Sequence, residues 1–171
     1  MKIRVMLADD QTLVRQGICS LLALSDKVVV AGEVSNGAEV VEGITQCQPD
    51  VLLLDIRMPV MTGIDALHAM HKQQCMVPTI ILTTFDDDEL VLEGMRAGAR
   101  GFLLKDVSLD NLMAAIECVF AGGRYVQPVV TENIMKGLAG IKSDFASLNA
   151  PEDLSSKELE ILRLLAGGYS N

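Results

Sequence analysis

The chain has 171 residues, half of them apolar, with 14 basic and 23 acidic side chains and a formal net charge of −9. A chain of this length buries roughly two thirds of its unfolded surface, so its core needs no disulfide or metal, and the acidic balance opposes non-specific binding to nucleic acid or an anionic membrane. No apolar run is long enough to span a bilayer, MKIRVMLADD lacks the form of a signal peptide, and four scattered cysteines (Cys19, Cys47, Cys75, Cys118) read as free thiols of a reducing cytoplasm.

Ile3 to Ala8 is predicted as a strand, and Leu13, Gly17, Ile18 and Leu21 then recur at helical spacing. Val28 to Val34 reads as a second strand, with Val40, Val41 and Ile44 as a helix face after it. Val51 to Leu54 is apolar throughout, as a strand buried on both faces must be. Ile64, Leu67 and Met70 mark the next helix, and Pro78 leads into a fourth strand, Thr79 to Leu82. Leu90, Val91 and Met95 give a fourth helix. Asp86, Asp87 and Asp88 stand at its start, where acids suit the helix dipole. Gly101 to Leu104 is a short fifth strand. Leu109, Leu112, Met113, Ile116, Val119 and Phe120 form an amphipathic helix that Gly122-Gly123 ends. Strict alternation of strand and helix over residues 1–122 predicts an α/β fold of (βα)5 type, its parallel sheet covered on both faces.

Ligands of such sheets bind beyond the carboxyl ends of the strands. There the sequence places Asp9-Asp10 after strand 1, Asp55 after strand 3, Thr83-Thr84 after strand 4 and Lys105 after strand 5. Three carboxylates within ~5 Å repel by roughly 3 kcal/mol per pair at an effective dielectric near 20. A hard divalent cation removes that conflict, and an all-oxygen site with few protein ligands suits Mg2+. One carboxylate can then attack a phosphoryl group, with the metal, Lys105 and Thr83 on its oxygens.

ADD at 8–10, LLLDIRMP at 52–59, Thr83 with Thr84 and GFLLK at 101–105 together resemble the receiver domain of bacterial two-component response regulators. The resemblance covers about residues 2–122 and implies a flavodoxin-like sheet of order 2-1-3-4-5. It also implies roles. Asp55 is the phosphoacceptor, served by a phosphohistidine on a sensor histidine kinase. Asp10 is a direct Mg2+ ligand, Asp9 a secondary or water-mediated one, and the Arg57 backbone carbonyl a third. Thr83, beside Thr84, bonds the phosphoryl group and Lys105 pairs with it. Phe102 is an aromatic switch that turns inward when Thr83 moves. Pro59 fixes its own φ and keeps Met58 out of the α region, which stiffens the loop that carries Arg57. Two departures stand out: Asp106 follows Lys105 where many receivers have proline, and Phe102 replaces the commoner tyrosine. Arg57 stands where an aspartate phosphatase of the haloacid dehalogenase type needs a second aspartate. ADDQT stands where a dinucleotide-binding fold needs GxGxxG.

Residues 123–153 read as a linker, rich in turn residues, with a short helix within Val129 to Ile141. In LSSKELEILRLLAGGYSN, 154–171, Ser155 and Glu158 fit a capping box, followed by Leu159, Ile161, Leu162 and Leu165. This stretch resembles the first helix of a LuxR-type helix-turn-helix domain, read as truncated at Asn171, and so implies the NarL/FixJ class. The expectation is a cytoplasmic, homodimerising transcription regulator controlled by phosphorylation. Promoter DNA would be bound by the full-length protein and not by this fragment, and no membrane is involved. The alternative is a receiver acting only as a protein-interaction module. His68 and His71 read as exposed helix residues rather than a metal pair.

Overall fold

The computed structural model describes residues 1–84, 88–132 and 134–136. In chain order its elements are β1 (Ile3–Ala8), α1 (Thr12–Ala23), β2 (Val28–Val34), α2 (Val40–Cys47), β3 (Val51–Asp55), α3 (Gly63–Lys72), β4 (Thr79–Thr83), α4 (Asp88–Arg96), β5 (Gly101–Leu104), α5 (Leu109–Phe120) and β6 (Tyr125–Val126). A single 3-10 turn, Gly37–Glu39, precedes α2.

The sheet runs β2-β1-β3-β4-β5-β6, and every neighbouring pair is parallel. Alternation along β3 explains its wholly apolar sequence. Leu52 and Leu54 enter a core under α2, α3 and α4, while Val51 and Leu53 enter a second core under α1 and α5. Helix starts follow local chemistry. Thr62 and Asp65 form a reciprocal capping box at α3, and the Ser108 side chain accepts the Asn111 N–H at α5. Gly122, with φ +93, follows the end of α5 as the sequence predicts.

One expectation needs correction. The chain does not leave the sheet at residue 123. Tyr125 and Val126 pair with Gly101 and Phe102 as a sixth strand, and residues 128–132 and 134–136 are helical. Val130 and Ile134, four apart on one helical face, are buried in the same core as Phe102 and Leu104. The first part of the expected linker is therefore part of the receiver body. Residues 137–171, with the expected helix-turn-helix start, lie outside the described residues, as do Phe85, Asp86 and Asp87. No helix of the described residues is long and apolar enough to cross a membrane.

Candidate functional site

The chain leaves β1 toward β2 on one side and reaches β3 on the other, so strand order reverses between β1 and β3. Their register sets Ala8 beside Leu54, which brings the next residues, Asp9 and Asp55, together at the mouth of the crevice. Asp9 is 0% exposed and Asp55 3%, whereas Asp10 is exposed. One carboxylate oxygen of each lies within 4.8 Å of the others.

Each buried acid is held by its neighbours. Asp9 Oδ1 accepts the Gln11 N–H at 2.8 Å. Arg15 Nη1 donates to the Asp9 carbonyl at 2.6 Å, while Arg15 Nε lies 3.5 Å from Glu33 Oε2. Asp55 Oδ1 accepts the Arg57 N–H at 3.2 Å. Lys105 Nζ bridges the pair, 3.0 Å from Asp55 Oδ2 and 3.2 Å from Asp9 Oδ2. Neither Oδ2 atom, though buried, receives an aligned hydrogen bond among the described residues.

Three carboxylates thus face one bridging ammonium. The Asp55 carboxyl is raised to about 6: burial raises it most, Lys105 opposes the rise, and the Asp9 charge adds to it. For Lys105, burial works against the charged form, and the Asp55 and Asp9 carboxylates more than offset it, so its pKa is raised. Buried carboxylate oxygens with unused lone pairs, all-oxygen donors and a surplus of negative charge fit a hard divalent cation.

The β3–α3 loop is closed at both ends. Gly63 N–H donates to the Ile56 carbonyl at 2.8 Å, and a Cβ at Gly63 would collide with the Asp55 carbonyl oxygen. Met61 N–H donates to the Pro59 carbonyl at 2.8 Å across Val60, whose φ is +69. That three-residue turn is strained for a β-branched residue. Gly37 N–H reaches the Met61 carbonyl at 3.2 Å and ties the loop to the turn before α2. Met58 is buried and Pro59 exposed, so the expected stiff dipeptide is anchored by its methionine.

Thr83 is buried, and its hydroxyl donates to the Thr84 carbonyl at 3.1 Å. Lys105 N–H donates to the Thr83 carbonyl at 3.0 Å, which fixes one strand end against the other. Phe102, implied to turn inward, is here 2% exposed. His68 and His71 are both exposed on α3. The sequence reading missed Arg15, Val60 and Gln127. Arg15 alone left a trace, as a charged residue four before Cys19 and three before Ile18 on an apolar helix face.

Comparison with known proteins matches residues 5–117 to the family described as the response regulator receiver domain. This chain belongs to that family. The chain is 35% identical over 175 residues to the transcriptional regulatory protein LnrK of Bacillus subtilis (strain 168), covering 99% of this chain and 79% of that protein. It is 35% identical to the response regulator ChrA of a heme-sensing two-component system, whose crystal structure it matches with TM-score 0.70 over 99% of this chain and 77% of that one. The receiver domain of the response regulator NarL from Mycobacterium tuberculosis matches with TM-score 0.64 at 36% identity, covering 69% of this chain and 96% of that one. The receiver is therefore that of a two-component response regulator, and its relatives are transcriptional regulators.

Proposed function

We propose that Asp55 accepts a phosphoryl group from a phosphohistidine of a sensor histidine kinase, and that this controls transcription through a helix-turn-helix domain. The observation that carries the reading is Asp55 itself: buried, beside Asp9, and 3.0 Å from the Lys105 ammonium at the strand-order reversal. An Asp55 carboxylate oxygen attacks phosphorus, the P–N bond of the donor breaks with its electron pair on the imidazole nitrogen, and the ring takes up one proton from solvent. An acyl phosphate and neutral histidine result. Lys105 pairs with one phosphoryl oxygen and Thr83 Oγ1 donates to another, giving up its bond to the Thr84 carbonyl. Asp10, Asp9, Asp55 and the Arg57 carbonyl would hold Mg2+, which would neutralise the carboxylates against the incoming dianion. Arg57 N–H on Asp55 Oδ1 and the closed β3–α3 loop hold that carbonyl in place. The chain carries out only its own phosphorylation and slow dephosphorylation. We place the protein in the cytoplasm, as a homodimer when phosphorylated.

The test is incubation of the chain with a small phosphoryl donor such as acetyl phosphate and Mg2+, read by intact mass. The wild type gains one phosphoryl group. Asp55→Asn gains none, because an amide oxygen is a poor nucleophile, and chelation of Mg2+ prevents the gain. A phosphoryl adduct of equal yield in Asp55→Asn contradicts the assignment.

A further inference from the structure

β6 is only two residues long, so it covers only part of the β5 edge. Tyr125 N–H donates to the Arg100 carbonyl at 2.9 Å and Gln127 N–H to the Phe102 carbonyl at 3.0 Å. The next group on that edge is the N–H of Leu104, and β6 has ended. The Gln127 side chain takes the place of the missing strand: its Oε1 accepts the Leu104 N–H at 2.9 Å. A backbone N–H can only donate, so the amide must present its oxygen here. Leu104 is 4% exposed, so without Gln127 that donor would be left unpaired away from water.

Gln127 also starts the helical segment that follows. Its carbonyl accepts the Val130 N–H at 2.9 Å and the Thr131 N–H at 3.3 Å. Val130 and Ile134 then pack in the core that holds Phe102 and Leu104. One residue therefore bonds to Phe102, to the residue just before Lys105, and to the first turn of the downstream segment.

We propose that Gln127 is a positioning residue for Phe102 and Lys105, and that through it the segment from residue 128 onward follows the state of the phosphoryl site. The proposal rests on the reading of Asp55 as phosphoacceptor. When Lys105 moves to meet a phosphoryl group, Leu104 moves with it. The bonds to Gln127 either carry that movement to the helical segment or break. Gln127 thus joins the end of β5 to the first turn of residues 128–132 by hydrogen bonds on both sides.

The test uses the 15N-labelled chain with Mg2+, with and without beryllofluoride as a phosphoryl mimic, in the wild type, Gln127→Leu and Gln127→Glu. In the wild type, the mimic is expected to shift the amide resonances of Lys105 and Val130 together. Gln127→Leu removes the acceptor at similar size, so Leu104 amide exchange accelerates roughly tenfold or more while Ile81, in the sheet centre, is unchanged. In that variant the Lys105 shift persists and the Val130 shift is lost. Gln127→Glu keeps an acceptor oxygen at the same reach and restores the slow Leu104 exchange and the Val130 shift. A Val130 resonance that stays still in the wild type while Lys105 moves overturns the proposal and leaves the phosphoacceptor reading intact. So does unchanged Leu104 exchange in folded Gln127→Leu. A wild type in which neither Asp55 nor Lys105 responds to the mimic overturns both.

Discussion

Burial raises the Asp55 carboxyl to about 6 from an ordinary 3.8, with Lys105 opposing and Asp9 reinforcing. The folded state therefore holds a proton that the unfolded chain releases across that interval. Stability from the protonated form is complete below about pH 4 and is lost as pH rises through about 6. We predict that urea unfolding of the metal-free wild type shows this loss between pH 4 and pH 7, and that Asp55→Asn, with no proton to release there, shows a flatter profile. Mg2+ favours the carboxylate and should oppose the loss. A second prediction concerns Val60, which is exposed and sits at φ +69. Strain of this kind costs about 1–3 kcal/mol, part of which glycine returns as unfolded-chain entropy. Val60→Gly should stabilise the protein by about 1 kcal/mol in chemical denaturation. The acids, Thr83 and Lys105 were legible because each interrupts or ends an apolar run. Val60 and Gln127 were not. A single sequence does not mark a residue at positive φ, nor a side chain that completes a strand ladder.

At the scale of elements, the five strands and the helices α2 to α5 were readable because their apolar periods largely agree with the two cores they enter, whereas the stripe expected for α1 took in Leu13 and Gly17, which are exposed, and missed Leu22, which is buried with Ile18. β6 was not, since two residues carry no period. Gly122-Gly123 before it and Pro128 after it also look like the borders of a linker. Burial settles what that segment does: Ile134 is 2% exposed in the core shared with Phe102. Ile134→Ala should cost about 2–4 kcal/mol, as expected for a core residue and not for a linker. Chemical denaturation checks this, and a loss under ~0.5 kcal/mol, the range of exposed positions, would detach the segment from the receiver body. Where the β3–α3 loop enters α3, any side chain at Gly63 would meet the Asp55 carbonyl. Gly63→Ala should destabilise the fold by roughly 2–4 kcal/mol, measured in the same way.

For the whole molecule, phosphorylation adds roughly −1.5 to −2 charges at one fixed point in a chain already at −9. Added charge by itself opposes association, so a gain in self-association must come from a change of surface, of the kind that Thr83, Phe102 and Lys105 would transmit. Sedimentation with and without a phosphoryl mimic is expected to show a larger species only with it. Equal masses across micromolar concentrations would contradict the coupling. The net charge also predicts that this 171-residue chain does not bind DNA at physiological salt. All of this depends on one atom becoming bonded to phosphorus. An acyl phosphate can be reduced by borohydride, which converts the aspartate that carried it to homoserine. After treatment with acetyl phosphate and Mg2+, peptide mapping should find homoserine at position 55 and aspartate at positions 9 and 10. Homoserine at position 9 or 10, or at no position in the folded protein, would contradict the account.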